Sequence, residues 1–229
     1  MPSGSSPPAP AAALIGRAAE VEDVLDQLGR ARLVTLTGPP GVGKTRLALA
    51  VCADRDDVSW VDLAPLRDPR QVRAELARAS RPDGYDDSTD RLVVLDNCEH
   101  LLDSDPDLAG QLAELLRSTP RLQVLATSRE RLRLAAEREY AVPPLPMPSD
   151  DDADDPARLR GNAAVTLLLD RAPPAVQLTP NTARALAEIC IGLDGLPLAI
   201  ELAAARLRVF TPSELAFRLG RRMLSLIHI

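Results

Sequence analysis

The chain has 229 residues, which is enough for one large domain or two small ones with a sizeable core. Its composition, 45% hydrophobic and 26% charged, is typical of a soluble globular protein. A net charge of −6 and an aromatic content of 2% argue against direct nucleic-acid binding, which needs a basic face or aromatic platforms for the bases. Three scattered cysteines, no signal peptide and no apolar run of about 18 residues predict a cytoplasmic protein without a membrane span.

The first part of the chain predicts a linker, a helix, a strand and a second helix. Residues 1–12 are rich in Pro, Ser and Ala and predict a disordered linker. Apolar residues recur at helical spacing over 20–29, which predicts a helix. A short apolar strand follows over 32–37, then a glycine-rich loop, and then a helix from about Lys44.

Apolar segments alternate with helical patterns further along the chain. Strands are predicted over 58–64, 91–97, 121–129 and 138–145, and helices over 69–80 and 107–117. This alternation predicts a parallel sheet covered on both faces. Beyond a Pro- and Asp-rich boundary only helices are predicted, over 161–172, 180–193, 197–209 and 212–220. The sequence therefore predicts an α/β domain over 13–148, an acidic linker over 149–157 and a small all-α domain over 158–229.

The loop after the first strand, GPPGVGKT, fits the pattern G-x-x-x-x-G-K-[ST]. Such a loop curls its backbone N–H groups around phosphate oxygens, and side chains would block that approach. Lys44 would supply a cation to the β- and γ-phosphates, and Thr45 would bind Mg²⁺ through its hydroxyl. The predicted nucleotide site comprises Gly38, Pro39, Pro40, Gly41, Val42, Gly43, Lys44, Thr45 and the adjacent Arg46.

The ends of two further strands supply the other predicted site residues. Asp96 follows four aliphatic residues, and a carboxylate there can hold the water shell of Mg²⁺. Thr127 and Arg129 lie at the end of the next predicted strand, at the edge where open α/β sheets bind ligands. Arg129 either contacts the γ-phosphate or is a surface arginine that begins a helix in the segment RERLRL, residues 129–134.

Six segments, taken together, resemble the nucleotide-binding core of the STAND-class P-loop ATPases, close to the NB-ARC group. They are LIGRAAEVEDVL, LTGPPGVGKTRLAL, VDLAPLRDP, VVLDNCEHLL, VLATSRERL and GLPLAIELAAARLR. The resemblance covers roughly residues 13–220 and is nearest to bacterial transcriptional regulators of the antibiotic-regulatory and large LuxR-type kind. It implies a P-loop NTPase sheet of the ASCE or AAA-like type, ATP or ADP with Mg²⁺ as cofactors, and self-assembly in the ATP state.

The resemblance also implies roles for individual residues. Ile15 and Arg17 match a motif that packs near adenine and ribose. Arg129 matches the first sensor, and Pro197 matches a helical-domain proline that lies against the nucleotide. Two of these have simpler explanations, because Pro197 can begin a helix and Ile15 can be an ordinary core residue.

The chain departs from the family at the position after the metal-binding aspartate. Related proteins often have a second acid there, but this chain has Asn97, which cannot act as a base. Glu99 is the nearest carboxylate, and we expect that it either polarises the attacking water or is a solvated loop residue.

The family continues into winged-helix, sensor and effector domains, and the segment LSLIHI, residues 224–229, does not match it. We therefore expect a fragment whose helical domain is truncated. The predicted function is an ATP/ADP-binding switch module with slow ATP hydrolysis. The alternative is a fast P-loop ATPase or a small-molecule kinase, and no membrane or direct nucleic-acid contact is expected in either case.

Overall fold

The structure is a computed structural model that describes residues 6–9, 12–81, 90–99 and 108–227. The chain divides into two compact units, Met1–Pro40 with Lys44–Val142, and Gly41–Gly43 with Pro143–Ile229. Most of the linker predicted at the start of the chain lies outside the described residues, as do the last two residues of LSLIHI. The domain limits predicted from the sequence stay predictions.

Strands and helices alternate in the first unit. They are α1 (Ala18–Arg30), β1 (Leu33–Thr37), α2 (Lys44–Val51), β2 (Val58–Asp62), α3 (Pro69–Ser80), β3 (Arg91–Asp96), α4 (Leu108–Ser118), β4 (Leu122–Thr127) and β5 (Glu137–Ala141). The strands form a parallel sheet in the order β2-β3-β4-β1-β5. The last strand ends at Ala141, earlier than expected, because the prolines at 143 and 144 cannot donate hydrogen bonds to a strand ladder.

Apolar residues bury both faces of this sheet. On one face, α3 and α4 enclose a core that includes Leu33, Val93 and Val124. On the other face, α1 and α2 pack against the sheet and bury Leu28 and Leu47. Each buried side chain of this size contributes about 1.5–3 kcal/mol. Burial on both faces explains why the central strands are continuous apolar runs.

In its described residues the second unit contains helices and no strand. They are α5 (Pro156–Leu159), α6 (Ala163–Arg171), α7 (Ala183–Ile191), α8 (Pro197–Arg206) and α9 (Pro212–Ile227). Helix α5 begins inside the predicted acidic linker, because the Asp155 side chain caps it and Pro156 begins its first turn. The predicted fold class, a parallel α/β sheet followed by helices, is confirmed. Among the described helices none has the length and apolarity that a membrane span requires.

Candidate functional site

Four strands of the first unit end in a polar residue at the same edge of the sheet. Thr37 ends β1, Asp62 ends β2, Asp96 ends β3 and Thr127 ends β4. Because the strands are parallel, these ends lie at the carboxyl edge, which is where open α/β sheets bind ligands. Asp62 was not among the residues predicted from the sequence, although its position after an apolar strand is the same signal that identified Asp96.

The loop between β1 and α2 has a backbone conformation that glycine adopts readily and other residues do not. The φ angles of Gly38, Gly41 and Gly43 are 142°, 80° and 103°. Helix α2 begins at Lys44, so the N–H groups of its first turn have no partners within the helix. A glycine-rich loop that leads into a helix N-terminus suits a phosphate group, because N–H groups and the helix dipole both favour negative charge.

The Lys44 ammonium lies over the start of this loop. Its Nζ donates hydrogen bonds to the carbonyl oxygens of Gly38 at 2.8 Å and Pro39 at 3.2 Å. Burial lowers the pKa of Lys44, while the nearby charge of Glu99 raises it. Contacts between an ammonium and phosphate oxygens are stronger than contacts with neutral carbonyls. A bound phosphate can therefore replace these carbonyl partners.

The carboxylate of Asp96 is 5% exposed and receives two hydroxyl groups. Thr45 Oγ1 donates to Asp96 Oδ1 at 2.9 Å, and Thr127 Oγ1 donates to the same oxygen at 2.5 Å. Burial raises the pKa of Asp96, and the two hydroxyl groups oppose this shift. Hydroxyl and carboxylate oxygens are the ligands that Mg²⁺ prefers, so this donor set fits the ion implied by the fold.

Asn97 joins Asp96 to the neighbouring strand. Its Nδ2 donates to Asp62 Oδ1 at 3.0 Å and to Asp96 Oδ2 at 3.4 Å. Its backbone N–H donates to Thr127 Oγ1 at 3.0 Å. The residue that replaces a second acid in this chain is therefore hydrogen-bonded to two carboxylates.

Glu99 and Arg129 form an ion pair near Lys44. The distance between Arg129 Nε and Glu99 Oε1 is 3.6 Å, and the Arg129 side chain is 60% exposed. Oε2 of Glu99 is buried and has no hydrogen-bond partner in the described part of the chain. The structure thus brings Lys44, Asp96, Glu99 and Arg129 into one region, where the charges of the other three influence the pKa of Lys44.

The segment that carries Arg129 is a loop, and the alternative that Arg129 begins a helix is wrong. The buried Glu137 carboxylate accepts the backbone N–H groups of Leu132 and Arg133, both at 2.8 Å, and of Leu134 at 3.3 Å. These bonds satisfy backbone groups that a helix would otherwise pair. The position of the loop is therefore set by a residue of β5.

Four further residues were predicted to contact the nucleotide: Ile15, Arg17, Arg46 and Pro197. Arg17 is buried and donates to Glu20 Oε1 at 2.8 Å, and Ile15 is half-buried. The Arg46 guanidinium donates to two carbonyl oxygens in the segment before α1, at 2.8 and 3.2 Å. Pro197 begins α8, as expected for a proline in a first helical turn. Contact of these residues with a nucleotide stays a prediction.

Sequence comparison places a bacterial regulator among the relatives of the chain. No protein-family model matches the chain. It is 42% identical over 207 residues to a Mycobacterium tuberculosis protein named "Putative HTH-type transcriptional regulator Rv0890c". The alignment covers 82% of this chain and 22% of that protein, so the chain spans about a fifth of the relative's length.

Two solved structures share the architecture over most of the chain. A Walker-type ATPase of Pyrococcus abyssi has a TM-score of 0.61 and 16% identity, and the match covers 93% of this chain and 73% of that one. A STAND protein with a tetratricopeptide repeat sensor from Pyrococcus horikoshii has a TM-score of 0.56 and 18% identity, and the match covers 87% of this chain and 31% of that one. The chain therefore has the fold of the Walker-type and STAND ATPases, as the resemblance implied, and the nearness to the NB-ARC group stays a prediction.

Proposed function

We propose that this chain is the ATP- and ADP-binding switch module of a bacterial signal-transducing transcriptional regulator. The observation that carries the proposal is the 2.9 Å hydrogen bond between Thr45 and Asp96, directly behind a glycine-rich loop that begins a helix. The fold of Walker-type and STAND ATPases supports nucleotide binding, and the name of the mycobacterial relative supports a regulator. Loop N–H groups and Lys44 would bind the phosphates, and Thr45 and Asp96 would hold Mg²⁺.

The difference between ATP and ADP would act through Arg129. When Mg²⁺ is bound, it offsets the phosphate charge and orients the phosphate oxygens. The ion pair between Arg129 and Glu99, 3.6 Å long with an exposed arginine, is a weak interaction that Arg129 can leave for a γ-phosphate. ATP then makes one contact that ADP cannot make. A ligand shifts a conformational equilibrium only through such a differential contact.

Slow hydrolysis follows from the residues beside Asp96. The amide of Asn97 cannot take a proton from water, and general-base assistance typically contributes roughly 10²–10⁴-fold to a rate. The alternative of a fast ATPase or kinase is favoured by one observation, the partnerless Oε2 of Glu99 in the described structure. The steady-state rate of phosphate release distinguishes a slow switch module from a fast ATPase. We expect turnover well below the ~1 s⁻¹ low end of typical enzymes, and several turnovers per second would favour the alternative.

The proposal also includes partner domains and self-assembly. In a longer regulator, winged-helix, sensor and effector domains would receive the nucleotide-dependent change, and the ATP state would self-assemble. The 22% share of the mycobacterial relative that the alignment covers supports a longer protein. Direct contact of this segment with nucleic acid or a membrane is not part of the proposed mechanism, since its net charge is −6.

Calorimetric titration with Mg-ADP tests the nucleotide site. Lys44→Ala should weaken ADP binding at least ~10-fold, or about 1.4 kcal/mol, because it removes the cation beside the phosphates. Arg30→Ala removes one positive charge at the far end of α1, where the side chain is 69% exposed, and should leave the affinity unchanged. Equal affinities of the parent and Lys44→Ala would contradict the proposal.

A chemical test uses the fact that Lys44 is the only lysine in the chain. An amine-reactive reagent therefore has one side-chain target, and mass spectrometry distinguishes that product from modification of the α-amino group. We expect Mg-ADP to protect Lys44 from modification. Labelling at the same rate with saturating Mg-ADP would contradict the assigned position of the phosphates.

A further inference from the structure

The carboxylates of Asp62 and Asp96 lie side by side at the sheet edge. The two residues are register partners in the parallel pair of β2 and β3, so their side chains lie on the same face of the sheet. The Nδ2 atom of Asn97 is 3.0 Å from Asp62 Oδ1 and 3.4 Å from Asp96 Oδ2. A single amide nitrogen thus contacts an oxygen of each carboxylate.

The backbone holds Asn97 in this bridging position. Its φ angle of 65° lies in the left-handed region, which asparagine tolerates better than most residues. The hydrogen bond from its N–H to Thr127 Oγ1, at 3.0 Å, fixes the peptide plane. Asp62 is fixed as well, because its Oδ1 also accepts the N–H of Ala64 at 3.0 Å. The arrangement of the two acids is therefore built into the fold.

Two neighbouring carboxylates are unfavourable unless a positive charge offsets them. The Asn97 amide supplies hydrogen bonds but no charge. Neither Asp62 nor Asp96 forms an ion pair among the described residues, although burial lowers the pKa of Lys44 and the Asp96 charge is close enough to oppose this shift. The loop-facing carboxylate, Asp96, is paired with the Thr45 hydroxyl, whereas Asp62 is exposed to solvent. A divalent cation next to Asp96 would offset both charges.

We propose that Asp62 is a second carboxylate of the magnesium site and that Asn97 positions it. This inference rests on the proposed function. Mg²⁺ usually keeps several water ligands, and carboxylates outside the first shell hold such waters in place. Asp96 and Thr45 would hold the ion, and the solvent-exposed Asp62 would accept a hydrogen bond from one of its water ligands. Asn97, which replaces the second acid of related proteins, would thus position Asp62 beside the metal site and would not itself act as a base.

The Mg²⁺ dependence of ADP affinity tests this inference. ADP is titrated calorimetrically in EDTA and across a series of Mg²⁺ concentrations. Asp62→Asn removes the charge at nearly constant size and should raise the half-saturating Mg²⁺ concentration about tenfold, the low end for residues that support metal ligands. The affinity for ADP in EDTA should not change. Asn97→Gly tolerates the φ of 65°, removes the bridging amide and should shift the Mg²⁺ dependence in the same direction.

Asp90→Asn is the charge-matched control. Asp90 precedes β3 at the opposite edge of the sheet, its side chain is 73% exposed, and its loss should leave the Mg²⁺ dependence unchanged. If Asp62→Asn has the Mg²⁺ dependence of the parent, the inference is overturned and the proposed function stands. A parent that binds ADP without any Mg²⁺ dependence also overturns it. A parent that binds no nucleotide overturns both. If Asp62→Asn does not fold, Asn97→Gly is tested in its place. A raised half-saturating Mg²⁺ concentration then supports the inference, and the Mg²⁺ dependence of the parent overturns it.

Discussion

Replacing Thr127 with valine would test how the fold holds Asp96 in place. The Thr127 hydroxyl donates to Asp96 Oδ1 at 2.5 Å and accepts the Asn97 N–H at 3.0 Å. Because Thr127 is 1% exposed, water cannot take over either hydrogen bond. Valine keeps the β-branched shape, so the substitution removes the hydroxyl with little change in packing.

The expected loss of stability follows from these two bonds. A hydrogen bond to a charged group contributes about 1.5–3 kcal/mol, and a buried N–H left without a partner costs about 1–3 kcal/mol. Asp96 keeps its bond from Thr45, which limits the loss. We expect Thr127→Val to lower the free energy of unfolding by about 3 kcal/mol. For a chain of this size, that corresponds to a melting temperature about 6–12 °C lower.

Thr35 offers a matched control on β1. It is 0% exposed, and its Oγ1 is buried without a hydrogen-bond partner in the described structure. Thr35→Val therefore removes an unsatisfied group and should be neutral or stabilise the fold by about 1 kcal/mol. Thermal unfolding without nucleotide, followed by circular dichroism, compares both variants with the parent. Equal losses in the two variants would refute the reasoning, since the bonds to Asp96 and Asn97 would then not matter.

Three further predictions concern the charged residues of the site and the thiols. Arg129→Ala should weaken ATP binding more than ADP binding, because only ATP has a γ-phosphate, and equal losses in parallel titrations would contradict that contact. Glu99→Gln should slow residual phosphate release if the buried Oε2 activates water, and an unchanged rate would exclude that role. Burial raises the pKa of Cys52 and of Cys190 to about 12, so the thiolate fraction at pH 8 is on the order of 10⁻⁴. A thiol reagent should therefore modify the native chain far more slowly than the chain in urea, and rapid native labelling would contradict this burial.

The parts of the molecule that the sequence predicted well are those with local signals. Three adjacent features were predicted correctly: the apolar run of β1, the glycine-rich loop and the start of α2 at Lys44. The composition of each favours one kind of local structure over the others. The end of β3 at Asp96 was predicted in the same way, from an apolar run. The helix cap at Asp155 was an equally local signal for the start of α5. It was missed because the many aspartates of this segment predicted a linker.

Only the tertiary structure decided how the site residues meet. The hydrogen bonds from Thr45 to Asp96, from Thr127 to Asp96 and from Asn97 to Asp62 join residues 51, 31 and 35 positions apart. Such pairs depend on the strand order and on the register of β2 with β3, and no local pattern encodes either. Burial of both faces of the sheet fixes the register, because a shift of one residue would exchange the faces of every side chain in a strand. The sequence alone thus determined that a glycine-rich loop lies between a buried strand and a helix, whereas the packed sheet determined which carboxylates and hydroxyl groups lie beside it.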